Sequence, residues 1–420
     1  LSERKIQAVK GTRDILPDEA PAWHRIEAAA RELFPRYGYR EIRTPVFEET
    51  DLFARSIGTE TDIVAKEMYT FEDRDGSSLT LRPEATAGIV RAVIEHNLAA
   101  DDPAPKFYAM GPMFRRERPQ KGRYRQFHQV DVEAFGMSRP SIDAEIIEVS
   151  LAYLDACGLT DHELVLNSVG DARCRPAYVE TLRAALREEA SRLCADCQRR
   201  TETNPLRVLD CKVPQDQPII DALPKIGDHL CAECREHFVE VRRELDLLGI
   251  RYRLDHRLVR GLDYYTRTTF EVTSGALGAQ NSVLGGGRYD GLVKELGGPD
   301  LTGIGFALGM ERLVMLLPQG KGERRCDVFL APLVADALDP ALVLQRGLRR
   351  AGLRVLLDHE GRGLKSQMKK ADKLGARFVA IRGEDERAKD VWMVRDMAGS
   401  SQEEVQGAEV ARHLQGKLRG

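Results

Sequence analysis

Phe114-Arg115-Arg116-Glu117-Arg118, followed two residues later by Lys121-Gly122-Arg123-Tyr124-Arg125-Gln126-Phe127, is the stretch whose reading decides the fold. Five arginines and a lysine crowd into it. On either side, Lys106 to Arg116 and Gln126 to Phe135 are rich in aromatic and β-branched residues and read as buried strands. The pattern predicts an antiparallel hairpin with a long basic loop. Like charges packed this closely repel unless an anion joins them. A guanidinium offers a planar fork of donors that suits phosphate and carboxylate oxygens. Most charge runs end as solvated turns, but two buried strands would aim these arginines into a fixed site.

Working outward, Pro21 to Phe34 carries Trp23, Ile26, Ala30 and Leu33 at helical spacing. Tyr39 to Val46 reads as a strand that meets Pro45, and Glu48 to Ile57 as a helix. Leu79 to Leu81 is a short strand entering a helix from Pro83 to Asn97. Beyond the hairpin the character changes between 171 and 255, where charged helical segments such as Arg183 to Cys194 and Glu233 to Leu248 alternate with prolines and paired cysteines. This reads as an inserted helical module. Strand and glycine signals return with Gly261 to Val272 and Ser282 to Gly309, so the first domain is expected to be discontinuous, 1–170 with 256–320. Its last segment, Gly305-Phe306-Ala307-Leu308-Gly309-Met310-Glu311-Arg312-Leu313, turns from strand to helix through glycine and puts Arg312 in the first turn. A polar linker then precedes strands and helices in alternation over 326–420, which predicts a mostly parallel sheet.

The chain has 420 residues, enough for two or three domains. No apolar run reaches the ~20 residues of a membrane span, and Leu1 to Lys10 has no signal-peptide core, so a cytoplasmic protein is expected. A net charge of −3 gives no general argument for nucleic acid, leaving any such contact to a local basic face. There is no Gly-x-x-x-x-Gly-Lys-Ser/Thr loop.

Pro45, the Phe-Arg-x-Glu hairpin and the Gly-x-Glu-Arg ending, in that order, resemble the three motifs of class II aminoacyl-tRNA synthetases. Three further segments resemble the histidine-specific branch: Leu258-Val259-Arg260-Gly261-Leu262-Asp263-Tyr264-Tyr265, Gly285-Gly286-Gly287-Arg288-Tyr289-Asp290-Gly291-Leu292, and Arg82-Pro83-Glu84-Ala85-Thr86-Ala87. Position 85, often Gly in that branch, is Ala here. The resemblance implies an α+β catalytic domain built on an antiparallel sheet, the inserted helical module, and a C-terminal α/β anticodon-binding domain. It implies ATP-dependent activation of L-histidine to histidyl-adenylate with release of pyrophosphate, then transfer to the 3′ end of tRNA(His).

By the same resemblance, Arg260 and Arg115 take the histidine carboxylate and the α-phosphate. Glu84, Thr86 and Gln129 hold the α-ammonium, Ala85 belongs to the same histidine-binding set, and Glu133 and Tyr265 face the imidazole with Tyr264 lining the pocket. Gln129 and Glu133, four apart on a strand, do point to one face. Glu117, Arg123 and Arg312 join Arg115 around ATP, with Mg2+ on the pyrophosphate side. Arg118, Gln120 and Lys121 meet the tRNA acceptor end, and the Pro45 region forms a homodimer interface. A catalytically silent paralogue that binds histidine and regulates its biosynthesis is the rival reading. Such relatives commonly lack the C-terminal domain that this chain has.

In that domain Leu364, Met368, Ala371 and Leu374 are expected to form a buried helical stripe, leaving Arg362, Lys365, Lys369, Lys370 and Lys373 as a positive face. Cys194-x-x-Cys197 and Cys231-x-x-Cys234 have the pair spacing of a tetrahedral zinc site, with Cys211 between them. A reduced, metal-free set is equally compatible with that spacing, so the metal stays open.

Overall fold

The computed structural model describes residues 6–58, 61, 63–120, 122–259, 264–278, 281–317, 325–399 and 401–419. The chain forms two compact units, Leu1–Pro318 and Gln319–Gly420.

The first unit is organised by an eight-stranded sheet. Its order is Arg40–Glu41, Lys106–Phe114, Gln126–Phe135, Gly303–Gly309, Ser282–Arg288, Thr266–Thr273, Glu163–Ser168 and Arg253–Leu254. The inner pairings are antiparallel, and only the two short edge strands run parallel to their neighbours. Alternation along Gln126–Phe135 explains its two faces. Val130, Val132 and Ala134 pack into the main core with Trp23, Ile26 and Ala30 of the helix Ala20–Leu33 and with the helix Pro140–Cys157. The opposite face of the hairpin packs Phe107, Ala109, Met113 and Phe135 against Ile89, Val90 and Val93 of the helix Thr86–Glu95.

Two expectations need correction here. The strand predicted over 39–46 pairs only at Arg40–Glu41, while Phe47–Glu49 joins a separate three-stranded sheet with Ser78–Leu81 and Tyr69–Glu72. Pro45 lacks an N–H and restricts the residue before it, which ends the ladder. The carbonyls of Thr44 and Pro45 accept instead from the Arg82 guanidinium at 3.0 and 3.4 Å. The helix predicted from Pro83 begins at Thr86. The Glu84 carboxylate accepts the backbone N–H groups of Thr86 (2.7 Å) and Ala87 (2.9 Å), donors that the first turn leaves unpaired.

Between 175 and 247 lie the helices Arg175–Glu188, Ala195–Thr203, Gln217–Ala222 and Ala232–Leu247. They enclose a hydrophobic cluster that includes Tyr178, Leu182, Ile219, Ile220 and four cysteines. The last helix is tied to the main core by His237, whose Nε2 lies 3.0 Å from Asp143 Oδ1.

The second unit has a five-stranded sheet in the order Val355–Leu357, Val328–Pro332, Phe378–Arg382, Val391–Asp396, Gln402–Gln406. The first three strands are parallel and the last two pairings antiparallel. Gln402–Gln406 escapes a hydrophobic reading because Val405 is its only buried residue. The helix Leu364–Lys373 departs from its predicted stripe: Leu364 is exposed, and Gln367 is buried beside Ala371. A buried amide is tolerable there because Gln367 Nε2 donates to Pro332 O (2.9 Å) and Arg362 O (2.6 Å). Arg362, Lys365, Lys369 and Lys373 are exposed, and Lys370 pairs with Asp358 at 3.3 Å.

Candidate active site

Gln129, Asp131 and Glu133 alternate down one face of the strand Gln126–Phe135, and all three are buried. Their neighbours across the ladder are mostly small: Gly111 and Gly309 flank Gln129, Ala109 and Ala307 flank Asp131, and Gly305 lies beside Glu133. These small neighbours leave room for polar side chains above the sheet, and a Cβ at Gly111 would stand 2.5 Å from Arg82 Nη2. At Gly305 the requirement is strict, because a Cβ there would stand 1.8 Å from Glu133 Oε2. At Gly303 a Cβ would stand 2.1 Å from the ring of Tyr289.

Both oxygens of Glu133 are held. Thr86 Oγ1 donates to Oε1 at 2.6 Å, and the Tyr289 hydroxyl donates to Oε2. Burial pushes the Glu133 carboxyl up to about 8, against the pull of those two donors and with the charge of Glu84 adding to the rise. Asp131 is raised well above the ordinary range by burial, then by Glu133 and Glu84, with Arg82 and Arg115 opposing. Glu84 is also raised by burial, which its backbone and Thr86 hydrogen bonds only partly offset. Among the described residues, both carboxylate oxygens of Asp131 and Oε1 of Gln129 are buried with no hydrogen-bond partner. Leaving such groups unpaired costs several kcal/mol, which a cationic ligand with N–H donors would remove.

Aromatic rings close one side. Tyr264 and Tyr265 meet at 4.9 Å between centroids, and Tyr264 stands edge-on to Tyr289 at 5.7 Å. At the mouth, Arg115 is fixed by three contacts. Its backbone N–H donates to Arg125 O (2.9 Å), its Nε donates to Pro83 O (2.8 Å), and its guanidinium lies 5.2 Å from the Phe127 ring centroid. The hairpin tip turns at Gly122, with Gln120 and Arg123 exchanging backbone hydrogen bonds of 3.2 and 2.9 Å. Arg312 reaches that tip, donating from Nε to Gly122 O (3.4 Å) and from Nη1 to Ser282 O (2.7 Å). Glu311 accepts the His128 backbone N–H at 2.9 Å, which locks the two motifs together. A pocket beside the tip is lined by Glu67, Glu117, Arg118, Pro119, Gln120 and Arg123, where Arg123 pairs with Glu117 at 3.0 Å.

The expected residues thus fall into two groups. Glu84, Ala85, Thr86, Gln129, Glu133, Tyr264, Tyr265 and Arg115 border one slot, while Glu117, Arg118, Gln120, Arg123 and Arg312 border the hairpin tip. Arg260 and Lys121 lie outside the described residues. Two residues were passed over in the sequence. Asp131 completes the polar alternation at 129, 131 and 133, a signal visible in the bare sequence. Tyr289 sits within a quoted motif, but its link to Glu133 is a long-range contact that no local pattern contains. The paired cysteines do not form one site: Cys194 and Cys197 gather with Cys211 and Asp216, and Cys231 and Cys234 with Asp171 and Cys174.

An antiparallel sheet carrying an arginine hairpin and a Gly-x-Glu-Arg strand-to-helix turn over a buried acidic slot defines a class II aminoacyl-tRNA synthetase. Residues 11–313 match the family model described as histidyl-tRNA synthetase, and residues 327–417 match an anticodon binding domain. The chain is 56% identical over 410 residues to the histidine–tRNA ligase of Solibacter usitatus, covering 97% of this chain and 99% of that one. It is 54% identical to the histidine–tRNA ligase of Koribacter versatilis, covering 97% and 96%. The crystal structure of apo histidyl-tRNA synthetase from S. aureus superposes with a TM-score of 0.80 at 38% identity, covering 98% of this chain and all of that one. The chain belongs to the histidyl-tRNA synthetase family.

Proposed function

We propose that this chain activates L-histidine with ATP to histidyl-adenylate, releasing pyrophosphate, and transfers the histidyl group to the 3′ end of tRNA(His). The observation that carries this reading is the buried acidic face of the sheet, where both oxygens of Asp131 and Oε1 of Gln129 lack a hydrogen-bond partner among the described residues, so that a cation with N–H donors is called for beside Arg115. The α-ammonium of histidine is that cation, held by Glu84, Thr86, Gln129 and the unpaired Asp131. Glu133, Tyr264, Tyr265 and Tyr289 then meet the imidazole. A site with polar groups set against both ring nitrogens rejects analogues that would leave those groups unpaired.

In the first step the histidine carboxylate attacks the α-phosphorus, forming a carboxyl–phosphate bond while pyrophosphate leaves. Two anions must approach, so fixed positive charge does most of the catalysis. Arg115 lies between the slot and the hairpin and serves the carboxylate and α-phosphate. Arg260 shares that role by resemblance to the family's motif. Arg123 and Arg312 serve the outer phosphates, with Glu117 steadying Arg123. Glu67 and Glu117 line the same pocket as Arg118 and Arg123, and these oxygen donors suit a hard divalent cation. Glu67 and Glu117 would hold Mg2+ there, and it would supply positive charge toward the departing pyrophosphate. In the second step the terminal ribose hydroxyl of tRNA(His) attacks the adenylate carbonyl and AMP leaves, with Arg118, Gln120 and Lys121 against the acceptor end.

We assign catalysis to 1–170 with 256–320, the inserted module to 171–255 and anticodon binding to 326–420. No helix of the described residues is long and apolar enough to cross a membrane. A cytoplasmic homodimer with the Pro45 region at its interface fits the class. Histidine-dependent ATP–pyrophosphate exchange tests the whole reading: a histidine-binding regulator would show none, and a ligase for another amino acid would respond to that amino acid instead.

A further inference from the structure

Two of the eight cysteines, Cys157 and Cys326, are buried singly, one in each unit's core. The other six gather in the helical module in two sets of three, each with one aspartate. Cys174, Cys231 and Cys234 surround Asp171, and Cys194, Cys197 and Cys211 surround Asp216. Within each set the four donor atoms lie within 4.8 Å of one another. A tetrahedron around zinc, with Zn–S of ~2.3 Å, has edges of ~3.8 Å, so a small inward movement closes either set on an ion.

The two sets share a plan. Each takes a Cys-x-x-Cys pair from a helix N-terminus: Cys194 precedes Ala195–Thr203, and Cys231 precedes Ala232–Leu247. That end of a helix favours thiolate over thiol. Each takes a Cys and an Asp from a second segment, where a backbone N–H points at sulfur: Asp171 N–H to Cys174 Sγ, and Val213 N–H to Cys211 Sγ, both 3.4 Å. In each, the aspartate is oriented by further hydrogen bonds. Asp216 Oδ1 accepts the Cys194 N–H at 3.0 Å, leaving Oδ2 3.3 Å from Cys211 Sγ. Asp171 Oδ2 accepts from Arg173 Nη2 at 2.8 Å, and Oδ1, which takes the Arg173 N–H at 3.0 Å, lies 3.7 Å from Cys174 Sγ. Partners of this kind fix metal ligands in place.

We propose that the chain holds two structural zinc ions, one in each Cys3Asp set. Disulfides do not fit the arrangement: three thiols leave one over in each set, and the oriented aspartate would have no role. Three soft thiolates with one carboxylate in a closed tetrahedron suit zinc. The need for such staples is physical. Cys174, Cys197, Cys211 and Cys234 belong to the module's own hydrophobic cluster, and a core of this size supplies only about 3–5 kcal/mol. The first site clamps the starts of Arg175–Glu188 and Ala232–Leu247, the first and last long helices of the module, next to the strands where the chain leaves and re-enters the sheet. Arg173 and Arg267, 2.8 and 3.8 Å from Asp171 Oδ2, are shared with Glu233 and offset part of the surplus negative charge that three thiolates and a carboxylate leave around a dication.

The test is elemental analysis of the full-length chain, purified under reductant without a metal-affinity tag. Two zinc ions per chain are expected, one in Cys197→Ser, one in Cys234→Ser and none in the double variant. Because either variant can fail to fold, the wild-type chain is also stripped with a chelator and titrated with Co2+. Two equivalents giving the visible bands of tetrahedral thiolate–cobalt support the assignment. A wild-type chain that carries one zinc or none, iron in place of zinc, six module thiols that react freely in the native chain, or zinc undiminished in Cys197→Ser would each overturn it.

Discussion

Two acid clusters are buried against the same sheet, and their contrast separates a structural site from a binding site. In the first, Asp143 and Arg288 are both fully buried. Arg288 donates to both Asp143 oxygens, to Asp290 Oδ1 (3.0 Å), to Met137 O (3.0 Å) and to Arg139 O (3.3 Å), and His237 takes one more position on Asp143. Burial alone would raise Asp143, yet Arg288 and His237 overcome it and hold the carboxyl below its ordinary value. In the second, Glu84, Asp131 and Glu133 are raised. The nearby arginines spend donors on backbone: Arg82 on Pro112, Thr44 and Pro45, and Arg115 on Pro83. The first cluster is closed, with each Asp143 oxygen answered by a donor. Among the described residues the second leaves both Asp131 oxygens and Gln129 Oε1 without a donor, which is the mark of a cation's place.

The contrast breaks most visibly at the closed cluster. Asp143→Ala takes from the buried Arg288 its main partner, leaving only Asp290 and two carbonyls, and the first unit should lose about 3 kcal/mol in denaturant unfolding. A loss below about 1 kcal/mol would mean that water reaches Arg288 and that the cluster is not closed. Next in size is Arg115→Ala, which touches the open cluster from its mouth. Histidine-dependent exchange should fall by about 10²–10³ in kcat/KM, as for removal of one preorganised transition-state donor. Unfolding should change by no more than about 1–3 kcal/mol, because among the described residues the side chain makes one charge-assisted hydrogen bond, to a backbone carbonyl, and one ring contact. Exchange at the wild-type rate would remove Arg115 from the chemistry.

How far the sequence carried each cluster depends on the range of its contacts. Hairpin strands, the glycine turn into the Arg312 helix and the α/β pattern of the second unit were legible because side-chain alternation and helical spacing are local. The strand over 39–46 was overdrawn because a single proline outweighs several strand-forming neighbours. The stripe of Leu364–Lys373 failed at Gln367, whose burial depends on carbonyls supplied by Pro332 and Arg362. Asp131 was legible and missed: an acid at the middle of an alternating apolar strand faces the same way as Gln129 and Glu133. Tyr289 and the division of the cysteines were not legible, since 156 positions separate Tyr289 from Glu133 and spacing alone cannot say which Cys-x-x-Cys joins which aspartate.

The open cluster also sets a pH dependence. With Glu133 at about 8, the empty site is largely protonated at pH 7. Glu133 meets the imidazole, and accepting its ring N–H calls for the carboxylate, so histidine binding should release a proton and tighten about fivefold between pH 7 and 8, levelling above that. Calorimetry in buffers of different ionisation enthalpy measures both. In Glu133→Gln the release from this group and most of the slope should vanish, and an unchanged slope would transfer the titration to Asp131 or Glu84.

The smallest effect sharpens the picture most. Tyr289→Phe deletes one donor to Glu133 Oε2 and leaves the ring in contact with Phe135 and Tyr264. A hydrogen bond of this kind is worth about 0.5–1.5 kcal/mol, so histidine affinity at pH 8 should fall by roughly two- to tenfold. The hydroxyl stabilises the carboxylate form, hence its loss should move the midpoint of the affinity profile upward in pH, and the relative deficit should narrow above that new midpoint. A uniform loss at every pH would show that Tyr289 acts on the ligand or on packing instead. A shifted midpoint ties the deficit to Glu133, because only a change in that group's ionisation makes a tyrosine's removal depend on protons at a pH where tyrosine itself does not titrate.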